Sequence, residues 1–289
     1  MDTTTTTTKI IRFALIDEDK AKDDLTSRLL PPYKKSRSVE AVMVAKSGGV
    51  ICGVAIVRKV MREIDARSRV KVFIPDGKKV KYGDIILRIN ASASAILSAE
   101  RTALNFIQRL SGIATLTSEF VSKTQRYGVK IYDTRKTTPG LRSLEKYAVR
   151  CGGGENHRLN LSQMVFVKDN HLALEPDPRY WVAEARRRYR GVEVEIECVS
   201  VEGAGRAALA GADIVLLDNM PLAELKSAIS VVKKINPRIL IEVSGGVNLS
   251  NVASVARLGP DRISIGALTH SAPSLDISLE IITPSVFKK

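Results

Sequence analysis

Short apolar, β-branched runs recur through the later part of the chain at a nearly constant spacing. Residues 192–196, 214–217, 239–243 and 263–265 start 22, 25 and 24 residues apart. Helical patterns lie between and beside them, at 180–189, 201–210, 222–235 and 248–258. Two earlier runs, 129–132 and 164–167, have the same character. A strand–helix period near 25 residues is the mark of repeated βαβ units around a parallel sheet. The first hundred residues do not follow it. They mix expected strands at 39–45, 70–74 and 85–89 with a helix at 53–64, as in an α+β layer domain. From Ala95 onward Ile96, Ala99, Ala103, Ile107 and Leu110 fall on one helix face, with a kink expected at Ser111-Gly112. The remaining length is short for eight βα units, so the expected fold class is α/β, with an incomplete barrel of six or seven strands. The Thr3–Thr8 run reads as a frayed start, and Asp24-Leu25-Thr26 as a turn or helix end.

Charge narrows the possible ligands. Among 289 residues, 45 Lys+Arg stand against 31 Asp+Glu, a formal net charge of +14. That balance points to an anionic partner: nucleic acid, a membrane surface or a multiply charged small molecule. Aromatic residues make up only 5%, which argues against base-stacking platforms. The runs Lys34-Lys35, Lys78-Lys79 and Arg186-Arg187-Arg188 read as solvated faces, so no nucleic-acid partner is expected. No stretch of about 18 apolar residues is present, and the N-terminus lacks a signal-peptide pattern, so neither a membrane span nor a membrane partner is expected. Cys52, Cys151 and Cys198 are odd in number and far apart, which implies no disulfide framework and suits a reducing, cytoplasmic setting.

The ends of the apolar runs carry the polar chemistry. Asp133-Thr134-Arg135-Lys136 follows the first, Lys168-Asp169-Asn170-His171 the second, Asp218-Asn219 the run at 214, and Ser244-Gly245-Gly246 the run at 239. Gly266 follows the last. In parallel α/β architecture the carboxyl ends of strands build the site. Arg135, Lys136, Arg158 and Lys168, with Arg101 on the earlier helix, make an electropositive pocket. Alternation in Val192-Glu193-Val194-Glu195-Ile196-Glu197 puts three carboxylates on one strand face. Glu195 is expected to reach the barrel mouth and meet a cation or a metal-bound substrate. The glycines after the last two strands suit a phosphate held by backbone N–H groups. His157, His171 and His270 all follow glycine clusters or strand ends, match no zinc spacing, and suit anion binding.

These strings together resemble the quinolinate phosphoribosyltransferase family. The resemblance rests on Glu100-Arg101-Thr102-Ala103-Leu104-Asn105, Ser111-Gly112-Ile113-Ala114-Thr115, Asp133-Thr134-Arg135-Lys136-Thr137-Thr138-Pro139-Gly140-Leu141-Arg142, Lys146-Tyr147-Ala148-Val149-Arg150, residues 152–158 and 168–171, Glu193-Val194-Glu195, Leu216-Leu217-Asp218-Asn219, Ser244-Gly245-Gly246 and residues 266–271, in order along the chain. It implies an N-terminal α/β sandwich domain over 1–111 and an incomplete α/β barrel over 112–274. A segment over 275–289 would return to the first domain. It also implies transfer of a phosphoribosyl group from 5-phosphoribosyl 1-pyrophosphate to quinolinate with loss of CO₂, a step of NAD biosynthesis that needs Mg²⁺. Arg101, Arg135, His157, Arg158 and Lys168 would bind quinolinate, and Lys136 and Lys168 the pyrophosphate. Ser244, Gly245, Gly246, Gly266 and His270 would bind the 5′-phosphate. Lys136, Glu195 and Asp218 would be catalytic, with Glu195 and Asp218 orienting Mg²⁺. A homodimer or homohexamer is implied, with Arg101 reaching a neighbouring subunit's pocket. Asn90-Ala91, Cys198 and the Thr-rich start depart from the family pattern.

Three other readings compete. One is a related transferase that takes a mono-carboxylate pyridine such as nicotinate, or a molybdenum-associated relative. Another is a Schiff-base lyase using Lys136 or Lys168. The third is nucleic-acid binding through the excess positive charge.

Overall fold

The computed structural model describes residues 3–282. Among them lie twelve strands: β1 (Ser38–Ala45), β2 (Gly49–Val50), β3 (Arg69–Val72), β4 (Lys79–Val80), β5 (Ile85–Ser92), β6 (Lys130–Tyr132), β7 (Val165–Val167), β8 (Val194–Cys198), β9 (Ile214–Asp218), β10 (Leu240–Ser244), β11 (Arg262–Ser264) and β12 (Ile277–Ile281). The chain forms two interleaved compact units. One takes the chain up to Ser118, Thr138–Gly153 and the chain from Ala272 on; the other takes Glu119–Thr137 and Gly154–Ser271.

The first unit is built on an antiparallel sheet ordered β12-β1-β5-β3, with β2 and β4 as a separate two-stranded pair. β12 lies antiparallel to β1, Met43 opposite Leu279. The part of the expected C-terminal segment beyond residue 282 lies outside the described residues. Alternation buries Ala41, Met43 and Ala45 of β1 on one face. The helix Val54–Ile64 buries Val54, Ile56, Val57, Val60 and Met61. The helix Ala93–Thr124 buries Ile96, Ala99, Ala103, Ile107 and Leu110, the stripe that sequence spacing put on one face.

The helix Ala93–Thr124 continues past Ser111-Gly112, as expected. Glycine is needed at 112 because a Cβ there would run into the Pro273 carbonyl oxygen. Two local expectations are corrected by the structure. The Thr-rich start is not frayed: Thr3–Arg12 is helical. Threonine is a poor helix former, so tertiary contacts hold this helix. Ile11 and Thr7 are buried, and Arg12 Nε donates to Glu63 Oε1 at 2.6 Å. Asp24 proves to start a helix rather than end one, its side chain accepting the Ser27 N–H at 3.1 Å at the head of Leu25–Arg28.

The second unit is the expected parallel sheet. All six apolar runs are strands, ordered β6-β11-β10-β9-β8-β7. β6 and β7 are the two edges, so the barrel is not closed. Beyond β6 a single parallel bridge joins Tyr132 to Glu155. The outward side chains Val215, Leu217, Ile241 and Val243 are buried, and so are Leu225, Ala228, Ile229 and Val232 of the helix Leu222–Ile235. The other face is polar. In register across the sheet Glu197 is opposite Leu216, Leu216 opposite Glu242, and Glu242 opposite Arg262. Ser244 is opposite Asp218 one layer closer to the carboxyl end.

Replacing Gly112 by Ala tests the close approach at Pro273. The substitution should destabilise the chain by about 3 kcal/mol or more, read from urea unfolding midpoints. A change under about 0.5 kcal/mol would show that the helix shifts freely at that point.

Candidate active site

All six strands of the parallel sheet send polar residues from their carboxyl ends into one cavity: Thr134 from just beyond β6, Lys168 directly after β7, Glu197 near the end of β8, and the last residues of β9, β10 and β11, Asp218, Ser244 and Ser264. The cavity has a volume of 510 Å³ and is lined by Thr134, Arg135, Lys136, His157, Arg158, Phe166, Lys168, Asp169, Glu197, Leu216, Asp218, Glu242, Ser244 and Ser264. The basic residues expected at the barrel mouth, Arg135, Lys136, His157, Arg158 and Lys168, are thus brought together. So are Asp218 and Ser244.

Each is held by local structure. Asp133, fully buried after β6, accepts the Asn156 side-chain amide at 2.6 Å and the His157 backbone N–H at 2.9 Å. That fixes the segment carrying His157 and Arg158 against β6. The Arg158 backbone N–H donates to His157 Nδ1 at 2.8 Å, which leaves the ring proton on Nε2, 3.0 Å from Glu195 Oε2. Phe166 then gathers the His157 ring and two cations. Its ring stacks on His157 with centroids 5.7 Å apart. The Arg158 guanidinium lies 4.8 Å and the Lys168 ammonium 4.4 Å from its centre. Lys168 Nζ also donates to Glu197 Oε2 at 2.8 Å. Burial, and next the Arg135 guanidinium, pull Arg158 below its ordinary pKa. Arg135 Nε is buried with no hydrogen-bond partner in the structure. A buried guanidinium donor left open in a cavity is a strong demand for an anion.

Glu195 is not at the mouth. It is fully buried, beneath the cavity lining, where Glu242, His157 and Arg262 surround it. The reason is register. Glu195 pairs with Ile214, the first residue of β9, whereas Glu197 pairs with Leu216. Two residues of strand are about 7 Å, and β8 continues to Cys198 instead of stopping at Ile196. Glu197 therefore takes the mouth position beside Asp218. Burial, and next the Glu197 carboxylate, hold the Asp218 pKa above its usual value, against the opposing pull of Lys168 and Lys136.

The buried layer was not anticipated. Arg262 Nε and Glu242 Oε2 form a close ion pair, and Arg262 lies 3.6 Å from Glu195. His157 Nε2 is 3.6 Å from Glu242 Oε1. Burial pushes Glu195 up to about 7, with Arg262 opposing it. Burial and then Glu195 push Glu242 up to about 7. The sequence held a signal for this layer: Glu242 is a charge set inside the apolar run 239–243, and Arg262 directly precedes the run 263–265.

The remaining expected residues are placed differently. Gly245 and Gly246 both have positive φ, 81° and 64°, and a Cβ on Gly245 would meet the Asn219 backbone nitrogen at 2.6 Å. They form a tight turn beside Ser244 and do not line the main cavity. Gly266 sits against Lys136 and His270, where a Cβ would lie 3.0 Å from Lys136 Cδ and 3.1 Å from His270 Nε2. His270 is exposed, with Nδ1 2.6 Å from Ser271 Oγ. Arg101 is exposed on the helix Ala93–Thr124, in the first unit, and does not line the cavity. His171 is also exposed; its Nδ1 accepts the Lys168 backbone N–H at 2.9 Å.

A six-stranded open α/β barrel with a basic cavity at its carboxyl end and carboxylates among the cations defines an enzyme class: transferases that handle polyanionic substrates around a transient cation. The chain belongs to the quinolinate phosphoribosyl transferase family. The family's N-terminal domain model matches residues 24–111 and its C-terminal domain model residues 113–280. A probable nicotinate-nucleotide pyrophosphorylase [carboxylating] of Bacillus subtilis is 40% identical over 270 residues, covering 91% of this chain and 90% of that protein. The nicotinate-nucleotide pyrophosphorylase [carboxylating] of Mycobacterium leprae is 38% identical over 277 residues, covering 94% and 95%. The solved structure of the nicotinate-nucleotide pyrophosphorylase from Francisella tularensis superposes with a TM-score of 0.88 at 33% identity, covering 96% of each chain.

The buried carboxylates give the site a pH signature. Their folded pKa lies above the unfolded value of 4.5, so the native state holds more protons between pH 4.5 and about 7. Stability conferred by the protonated form is complete below pH 4.5 and is lost as pH rises through about 7. The unfolding free energy should fall across that window by several kcal/mol, measured by urea titration at several pH values. Glu242→Gln should flatten the slope; an unchanged slope would assign the pH dependence elsewhere.

Proposed function

We propose that this chain transfers the phosphoribosyl group of 5-phosphoribosyl 1-pyrophosphate to quinolinate, releasing pyrophosphate and CO₂ and forming nicotinate mononucleotide. The observation that carries this reading is the cavity itself, where Arg135, Lys136, Arg158 and Lys168 face Glu197 and Asp218. Quinolinate brings two carboxylates, which suits Arg135, with its open Nε donor, together with Arg158 and Lys168. Charge-assisted hydrogen bonds from guanidinium to carboxylate fix the ring in plane. His157, stacked on Phe166, borders the same space.

The pyridine nitrogen attacks ribose C1 as the bond to pyrophosphate breaks. Positive charge grows on C1 in that transition state. Glu197 and Asp218 stabilise it, because their carboxylates are already fixed at the cavity and need no reorganisation. Lys136 and Lys168 offset the negative charge on the departing pyrophosphate. The carboxylate next to the ring nitrogen then leaves as CO₂. Its bonding electrons remain on the ring carbon beside the cationic nitrogen, and that carbon takes a proton. Ser244, Gly245, Gly246, Gly266 and His270 are proposed to hold the 5′-phosphate. The turn at Gly245-Gly246, with both φ angles positive, suits backbone N–H groups that face an anion.

Glu197 and Asp218 are hard oxygen donors on neighbouring strand ends, close enough that the Glu197 carboxylate adds to burial in raising the Asp218 pKa. They fit Mg²⁺, and in this proposal they take the place of Glu195, which is buried beside Arg262 and His157. Mg²⁺ would supply charge neutralisation to the pyrophosphate oxygens. We also propose a homo-oligomer in which Arg101, exposed and not among the residues lining this cavity, enters a neighbouring subunit's site. No helix among the described residues is long and apolar enough to cross a membrane.

The direct test is pyrophosphate release from quinolinate and phosphoribosyl pyrophosphate with Mg²⁺; no release would overturn the assignment. Arg135→Ala should raise the quinolinate KM by about 100-fold, equivalent to roughly 2.7 kcal/mol, with the KM for phosphoribosyl pyrophosphate within a few fold. An unchanged quinolinate KM would remove Arg135 from the binding ring. Glu197→Gln should lower kcat by about 100-fold with a smaller change in either KM, and near-normal turnover would exclude Glu197 from the ribosyl step.

A further inference from the structure

A second cluster of reactive groups lies wholly within the first unit and takes no part in the cavity chemistry. The Cys52 and Cys151 sulfurs and an Asp76 carboxylate oxygen lie within 4.8 Å of one another. The residues come from three separate places: Cys52 just before the helix Val54–Ile64, Asp76 in the turn that follows β3, and Cys151 at the end of the helix Arg142–Cys151.

The three groups differ in how firmly they are held. Cys52 is buried, and its backbone is fixed at both ends by one hydroxyl. Its N–H donates to Ser111 Oγ at 2.9 Å, and the Ser111 hydroxyl donates to its carbonyl at 3.1 Å. Asp76 is already engaged. Oδ1 accepts the Gly53 and Val54 N–H groups at 2.9 and 3.0 Å, and Oδ2 accepts the Tyr147 hydroxyl at 3.0 Å. Three hydrogen bonds make it the anion at the head of Val54–Ile64, with little left for a metal. Cys151 is only partly buried, and it ends a helix that is followed by three glycines. It is the partner free to adjust.

The two thiols also differ in reactivity. The Cys52 thiol is held above the ordinary thiol range, first by its hydrogen bond to Cys151 and then by burial. The Cys151 thiol is pulled below it, first by that same hydrogen bond and further by Tyr147 and Arg150. A more acidic, reachable thiol beside a buried one is the usual arrangement of an attacking and a resolving cysteine.

We propose that Cys52 and Cys151 form a reversible intramolecular disulfide when the protein meets a hydroperoxide. The Cys151 thiolate attacks a peroxide oxygen, the O–O bond breaks, and hydroxide leaves, giving a sulfenic acid. Cys52 sulfur then attacks the Cys151 sulfur, the S–O bond breaks, and the Cys52 proton leaves with that oxygen as water. In total two thiols and one hydrogen peroxide give one disulfide and two waters. The bond ties the fixed start of Val54–Ile64 to the helix end from which the chain continues to His157 and Arg158. Cys198, buried on β8 with its thiol donating to the Ile196 carbonyl at 3.7 Å, has no part in it.

The test is a thiol count on the full chain before and after hydrogen peroxide, made after unfolding in denaturant. The reduced protein should give three thiols, one for each cysteine in the sequence. The oxidised protein should give one, with an intact mass lower by about 2 Da and a proteolytic peptide linking 52 to 151, all reversed by dithiothreitol. The melting temperature should rise by several degrees on oxidation, because the bond closes a long loop of the unfolded chain. Cys198→Ser should go from two thiols to none, while Cys52→Ser and Cys151→Ser should each keep two. Three persisting thiols, oxygen added to Cys151 without a cross-link, a link between two chains, or protection of both thiols by added zinc would each overturn the proposal.

Discussion

Two carboxylates, an imidazole and a guanidinium fill the interior of the parallel sheet, where barrels of this class ordinarily pack branched aliphatic side chains. Glu195 and Glu242 are fully buried there, against Arg262 and His157. Such a layer is costly to desolvate, and one guanidinium cannot balance two carboxylates in a dry interior. Both acids respond by holding their protons to about pH 7. What the layer contributes is orientation. Glu195 and Glu242 lie under the ring nitrogen of His157, and His157 carries Arg158 and stacks on Phe166. Removing one partner would leave a charge unpaired in the interior and release the floor of the cavity.

Above that floor the arrangement is electrostatic. Arg158 and Lys168 both rest on the Phe166 ring, so one aromatic side chain holds two cations that would otherwise drive each other apart. Lys168 shares its charge with Glu197. Arg135 has a donor with no protein partner. The cavity is therefore polarised before any substrate arrives: cations on one set of strand ends, Glu197 and Asp218 on another. In the proposed reaction an incoming dianion completes the first set, and a transient ribosyl cation is stabilised by the second. Preorganisation of this kind lowers a barrier because the groups need not move as charge develops.

Much of this was legible in the chain. The repeat near 25 residues located four of the six barrel strands and their apolar, β-branched character the other two, because a strand covered by helices is largely apolar and its helix must span back across it. The helix stripe from Ile96 to Leu110 was equally readable from spacing. Charges placed directly after apolar runs located Arg135, Lys136, Lys168 and Asp218, since parallel sheets put their sites at carboxyl ends. Three things were hidden. Depth along a strand depends on register, so Glu195 and Glu197 could be told apart only once β8 was aligned on β9. Partnership across strands joins Glu242 to Arg262 although they lie twenty residues apart in sequence. The N-terminal Thr run is helical because Ile11 is buried and Arg12 pairs with Glu63, neither of which local propensity contains.

The central claim is that the cavity recognises a pyridine by two carboxylates at once. Calorimetric titration of quinolinate and of nicotinate into the protein measures this directly. Loss of one charge-assisted contact is about 2 kcal/mol, so nicotinate should bind roughly 30-fold more weakly or worse. Equal affinities for the two acids would contradict the account.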